Sequence, residues 1–206
     1  MPGTLRHLVL LLAVTRAAAT AQVPKPPPPL AQFISQRVNV MPVQLLKPDT
    51  GALVVTANWA AFRKELDDSI GAAIAQRGVN RTWSYAADVA RAARRNAAYV
   101  SDPYSLGAQQ LRGVLIKAGD RIPDLLASNL RTHIAIGDTR YALIPLEIMF
   151  VHKGVEQHAV LRLVLVDGRG ALFMWQGEVT SDAVQKLTPA VVSSLAARVA
   201  DLVVAP

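Results

Sequence analysis

The chain has 206 residues, 51% of them hydrophobic and 18% charged, with a formal net charge of +7 and no cysteine. That apolar content argues against disorder over most of its length. The missing cysteine excludes disulfides, zinc–thiolate sites, thiol catalysis and a lipid-modified amino-terminal cysteine.

In chain order, Arg6 and His7 precede an apolar run, Leu8 to Val14, and a small-residue tail closes on Ala19-Thr20-Ala21. A basic start, a short apolar core and an A-x-A close make residues 1–21 a cleavable secretory signal peptide, as against an uncleaved anchor. The run is far shorter than the roughly 20 residues that span a bilayer, so the mature chain is expected to have no transmembrane segment. Removing Arg6 and Arg16 from the 22 basic residues leaves 20 against 15 acidic ones, a balance of +5. This permits attraction to anionic surfaces and selects none of them, with no specific nucleic acid implied. The Ala/Arg-rich composition points to a bacterial exported protein, periplasmic or secreted. Asn80-Arg81-Thr82 fits a glycosylation sequon only by chance in that setting.

Residues 22–36 read as a Pro-rich linker, with Pro24-Lys25-Pro26-Pro27-Pro28-Pro29 a stiff spacer rather than a ligand for a proline-reading domain. A single α/β domain is expected over 37–206. Arg37–Leu46 reads as the first strand, with Val38, Val40 and Pro42 on one face and Asn39, Met41 and Val43 on the other. Lys47-Pro48-Asp49-Thr50-Gly51 breaks the chain. A helix then runs from about Asn58, its cap, to Arg77. Its buried stripe is Trp59, Phe62, Leu66, Ile70 and Ile74, Gly78 is its stop, and Glu65, Asp67 and Asp68 belong to the wet side.

Residues 79–83 form a short second strand, and Ser84 caps a second helix to about Arg95. Ser105–Ala118 and Ile122–Ile136 read as further helical segments, with Pro123 in a first turn. The period then changes to two. Arg140–Val151, Gln157–Asp167 and Ala171–Thr180 are three strands joined by short turns, which makes them an antiparallel meander. Ala142, Ile144, Leu146, Ile148 and Phe150 share one face of the first, and Ala159, Leu161, Leu163 and Leu165 one face of the second. Thr188 and Pro189 open a last helix with Val192, Leu195, Val199 and Leu202 as its stripe. The fold class is therefore α/β (α+β), in the order β-α-β-α-α-β-β-β-α, a mixed sheet with helices packed on it.

Val38-Asn39-Val40-Met41-Pro42-Val43, the helix Phe62–Ile70, Ala75-Gln76-Arg77-Gly78-Val79 and the closing meander and helix resemble a group of bacterial envelope domains. These include the amino-terminal domain of the Tol-system propeller protein, the lipoprotein activators of penicillin-binding proteins and the curli-secretion lipoproteins. The activator and curli members are lipoproteins, and this chain lacks their cysteine. The Tol member continues into a propeller, and this sequence ends at Pro206. The resemblance implies an envelope address and action through protein–protein contacts, without catalytic residues to carry over.

No H-E-x-x-H pair, G-x-S-x-G elbow, P-loop or G-x-G-x-x-G is present, and no cofactor or metal is expected. His133, His152 and His158 are the histidines after residue 21; His152 and His158 flank a hairpin turn as solvated residues rather than ligands. Asp67 and Asp68 are adjacent on a helix and point apart, so they form no shared-proton dyad. Glu147, Arg162 and Glu178 fall in three successive strands, where register permitting they make a charge ladder, an ion pair on the open sheet face rather than a catalytic carboxylate pair. Arg91, Arg94 and Arg95 give the second helix a basic edge, followed by a loop carrying Tyr99 and Tyr104. Such arginines complement a helix dipole, but the two tyrosines add anchors that a solvating face does not need. The expectation is a non-enzymatic binding or scaffold domain that docks an envelope protein through these five residues. The alternatives are a small exported hydrolase built from dispersed residues, or a binder of anionic envelope polymers.

Overall fold

The computed structural model describes residues 26–47, 58–154, 156–183 and 189–206. The signal-peptide segment, the start of the polyproline run, the break after Lys47, the His152 side chain and Thr188 lie outside the described residues.

Six strands build one mixed sheet: β1 (Val38–Val40), β2 (Leu45–Leu46), β3 (Trp83–Ser84), β4 (Tyr141–Lys153), β5 (Glu156–Asp167) and β6 (Leu172–Thr180). The order is β3-β1-β4-β5-β6, with β2 also pairing β4. β1 runs parallel to both β3 and β4, whereas β4, β5 and β6 form the expected antiparallel meander. The first strand is in two pieces because Pro42 offers no N–H to the ladder. β4 is still followed on either side, with the Met41 N–H donating to the Leu143 carbonyl at 2.9 Å and that of Gln44 to Pro145 at 3.0 Å. The break also alters the faces: Val43 packs with Val38 and Val40, not with Met41.

Four helices cover the sheet: α1 (Trp59–Gln76), α2 (Ala86–Arg95), α3 (Asp124–Gly137) and α4 (Pro189–Val203). α1 and α4 lie on one face. Leu66, Ile70 and Ile74 pack there with Leu195 and Val199 against Leu161, Leu163 and Leu165 of β5. α2 and α3 lie on the other, where Val89, Leu126, Leu130 and Ile134 cover Ala142, Ile144 and Val164. The three layers bury both sheet faces, which explains the near-continuous apolar run of β5. Leu30 and Phe33 already belong to the core on the α1/α4 side, and the Leu30 N–H donates to the Leu202 carbonyl at 2.8 Å.

Several details differ from the sequence reading. Ser105–Ala118 holds only a 3₁₀ turn at Ala108–Leu111; the rest is a strap running over the sheet. Gly107, Gly113 and Gly119 punctuate it with φ of +80°, +66° and +92°, a region that a helix excludes. Its end joins the sheet at β6, where Arg121 bridges Leu172 and the Gly119 N–H donates to Phe173. Asn58 and Ser84 do not cap: neither α1 nor α2 has a side-chain cap bond, and Ser84 ends β3. Asp67 is not on the wet side. It is buried, and its Oδ1 accepts the Val43 N–H at 2.8 Å, satisfying backbone that Pro42 leaves outside the ladder. Asp68 does point to solvent, paired with Lys64 at 2.5 Å.

β4 departs from strict alternation. The register shifts between Pro145, opposite Leu163, and Glu147, opposite Arg162, so Leu146 is an extra residue. Ala142, Ile144 and Leu146 therefore face α2 and α3, while Ile148 and Phe150 face α1 and α4. A bulge changes the parity of every residue after it.

Candidate functional site

The basic edge of α2 is where the sequence places it. α2 is short, with Val89, Ala90 and Ala93 inward, so Arg91, Arg94 and Arg95 are turned to solvent. Arg91 is held by Asp88 one turn earlier, at 2.8 Å. Among the described residues Arg94 and Arg95 have no ion-pair partner. Asn96 ends the helix, its side chain donating to the Ala92 carbonyl at 2.9 Å, and Tyr99 follows with 83% of its surface exposed. Tyr104 is differently employed. The Arg63 guanidinium of α1 lies 4.3 Å from its ring centre, and burial pushes its phenol up. Asp102 fixes the intervening turn by accepting the Tyr104 N–H at 3.0 Å.

The charge ladder also forms, with Glu147 opposite Arg162 and Arg162 opposite Glu178. It is not on an open face. Glu147 and Arg162 are buried, under the strap that follows the 3₁₀ turn. Arg162 donates to the Leu111 carbonyl at 2.5 Å and to the Val114 carbonyl at 3.0 Å, tying the strap to β5. Between strap and ladder lies a cleft of about 610 Å³, lined in part by Lys47, Arg112, Leu115, Glu147 and Glu178. Sequence reasoning named the ladder but not the cleft. Its wall was assigned to a helix, and the parity change at Leu146 that brings Glu147 beneath it leaves no mark except Pro145.

His133 of α3 is buried, and burial depresses its pKa, so the ring is neutral near pH 7. It lines a pocket of about 160 Å³ together with Asn39, Ser84 and Asp88. A hydrolytic site would need the imidazole bonded to a nucleophile or carboxylate. Among the described residues the Nε2 atom has no hydrogen-bond partner, and Asp88 is taken by Arg91. His158 lies 4.0 Å from Glu156 and 3.3 Å from the Ser181 carbonyl. Among the described residues there is no cluster of three or more potential metal ligands, and no helix long and apolar enough to cross a membrane.

No family model matches this sequence, and no curated protein does. Solved structures resemble it in shape. A PelC dodecamer from Paraburkholderia phytofirmans is 14% identical with a TM-score of 0.39, over 88% of this chain and 95% of that one. A lipoprotein from Neisseria meningitidis is 13% identical with a TM-score of 0.37, over 76% and 90%. The LpoB C-terminal domain from Salmonella enterica is 13% identical with a TM-score of 0.34, over 73% and 83%.

Proposed function

We propose that this chain is an exported, non-enzymatic binding domain of the bacterial cell envelope, which docks a partner protein through the carboxyl-terminal edge of α2. The observation that carries the reading is Tyr99. It leaves 83% of a large aromatic surface in water, four residues after Arg95. Aromatic residues and arginine are the types that most often dominate binding energy, and a helix end alone needs no exposed tyrosine. Export is supported by the Leu8–Val14 run and the Ala19-Thr20-Ala21 close. Arg91 sits one turn back, paired with Asp88, while Tyr104 contributes by fixing the loop.

The test is capture of a partner from envelope extract by the mature domain. Replacing Arg91, Arg94 and Arg95 together by Glu is expected to abolish capture with the circular dichroism unchanged. Tyr99→Ala should weaken capture by about tenfold or more, the cost of losing an aromatic anchor. Unchanged capture by the triple variant defeats this site. Binding to anionic polymer that falls steeply with salt, and is indifferent to Tyr99, would favour the polymer-binding alternative instead.

A further inference from the structure

The cleft above the ladder is built differently from a structural ion pair. A buried carboxylate normally accepts full hydrogen bonds, because leaving it without them costs the desolvation of a charge. Glu147 is only 4% exposed at its side chain, yet among the described residues it accepts no hydrogen bond. Its contacts are charge contacts of 3.4 Å to Arg112 and 3.9 Å to Arg162. Arg162 is turned away to the Leu111 and Val114 carbonyls. Glu147 lines the cleft, so the acceptor capacity that the described residues leave unused opens into it.

The rest of the cleft sets basic groups and an apolar wall against Glu147 and a second carboxylate, Glu178. Arg112 spends Nη2 on the Leu46 carbonyl and Nε near Glu147, and among the described residues Nη1 has no partner. Lys47 stands on the same rim. The strap presents Leu115, 74% exposed, and Val114 beside it, while Met149 lies in the lining. A lone anion would be repelled by Glu147 and Glu178, and a lone cation by Arg112 and Lys47. A group carrying both charges, with an apolar part between or beside them, satisfies every side at once. The volume of about 610 Å³ is within the range of small-ligand sites.

We propose that this cleft binds a small zwitterion of amino-acid type, a free amino acid or a short peptide. Its ammonium donates to Glu147, its carboxylate faces Arg112 and Lys47, and its apolar side chain lies on Leu115. This site is separate from the α2 edge and does not depend on it.

Calorimetric titration of the mature domain with leucyl-leucine, N-acetyl-leucyl-leucine, leucyl-leucinamide and free leucine tests the assignment. Leucyl-leucine or leucine should bind saturably, and whichever is tighter separates peptide from free amino acid. Capping either end should weaken binding by about tenfold, the loss of one charge-assisted hydrogen bond. Glu147→Gln should weaken leucyl-leucine and its amide but not the acetylated peptide. Arg112→Gln should weaken leucyl-leucine but not the amide. If Glu147→Gln fails to fold by circular dichroism, the Arg112 and amidation pair decides alone. No saturable binding of any probe at millimolar concentration overturns the proposal, as does binding indifferent to both caps or a cap effect that neither substitution removes.

Discussion

At the scale of the residue, two buried titratable groups set the acid–base behaviour of the fold, and they act in opposite directions. Burial pushes Asp67 up to about 7, against the bond from Val43 and the charge of Arg63. An acid whose folded pKa is raised binds its proton more tightly in the native state. Its stabilising contribution is complete below the unfolded value near 4 and is lost as pH rises through about 7. The maximum size is of the order of 4 kcal/mol. His133 is depressed by burial, so the unfolded chain takes up its proton first, and stability is lost as pH falls below 6.5. Between these limits the slopes oppose. Urea midpoints of the wild type should therefore decline from pH 6.5 toward pH 8, where the opposing His133 slope fades. Asp67→Asn should remove the decline toward pH 8 and expose the loss on the acid side. A variant that still loses stability from pH 6.5 to 8 would show that Asp67 does not carry it.

At the scale of the element, the strap decides what the sheet can present. A regular helix over Ser105–Ala118 would place its own backbone bonds inside the segment. The extended strap instead gives the Leu111 and Val114 carbonyls to Arg162 and pairs its end with β6. Gly107 and Gly113 both sit at positive φ, but their surroundings differ. A Cβ at Gly107 would meet Leu125 at 2.7 Å, whereas one at Gly113 meets nothing within 4 Å. Gly113→Ala should cost about 1 kcal/mol, the conformational penalty alone. Gly107→Ala should cost clearly more, measured by chemical denaturation; equal costs would place the strap elsewhere. On the opposite face, Leu195 of α4 is fully buried among β5 and α1 side chains. Leu195→Ala should lose about 2–5 kcal/mol, the range for an interior leucine whose site cannot collapse.

At the scale of the whole molecule, a single sheet serves two cores. β5 sends Leu161, Leu163 and Leu165 to one and Val164 and Val166 to the other, so neither core survives loss of the strand between them. Leu195→Ala on one side and Leu130→Ala on the other should therefore shift the same cooperative transition. Tryptophan fluorescence and far-ultraviolet dichroism should coincide in both variants; separated transitions would mean that the layers unfold independently.

The elements of long periodicity were legible along the chain: α1, α3, α4 and the three meander strands, whose apolar stripes are repeated often enough to be read without partners. Short turns fixed the antiparallel order of the meander, and the loop after α2 already carried Tyr99 beside its arginines. The rest depends on contacts between segments far apart in the chain. Asp67 looks solvent-facing until the Pro42 break brings the Val43 N–H to it. Ser105–Ala118 has helical spacing, but its apolar residues answer to the sheet below. Glu147, Arg162 and Glu178 were visible as a ladder, yet whether a charge ladder is open or roofed depends on a bulge at Leu146 and a strap some thirty residues upstream. Local pattern records which side of an element is apolar. It does not record what lies across from that side, and the accessible chemistry of this protein is set by what lies across.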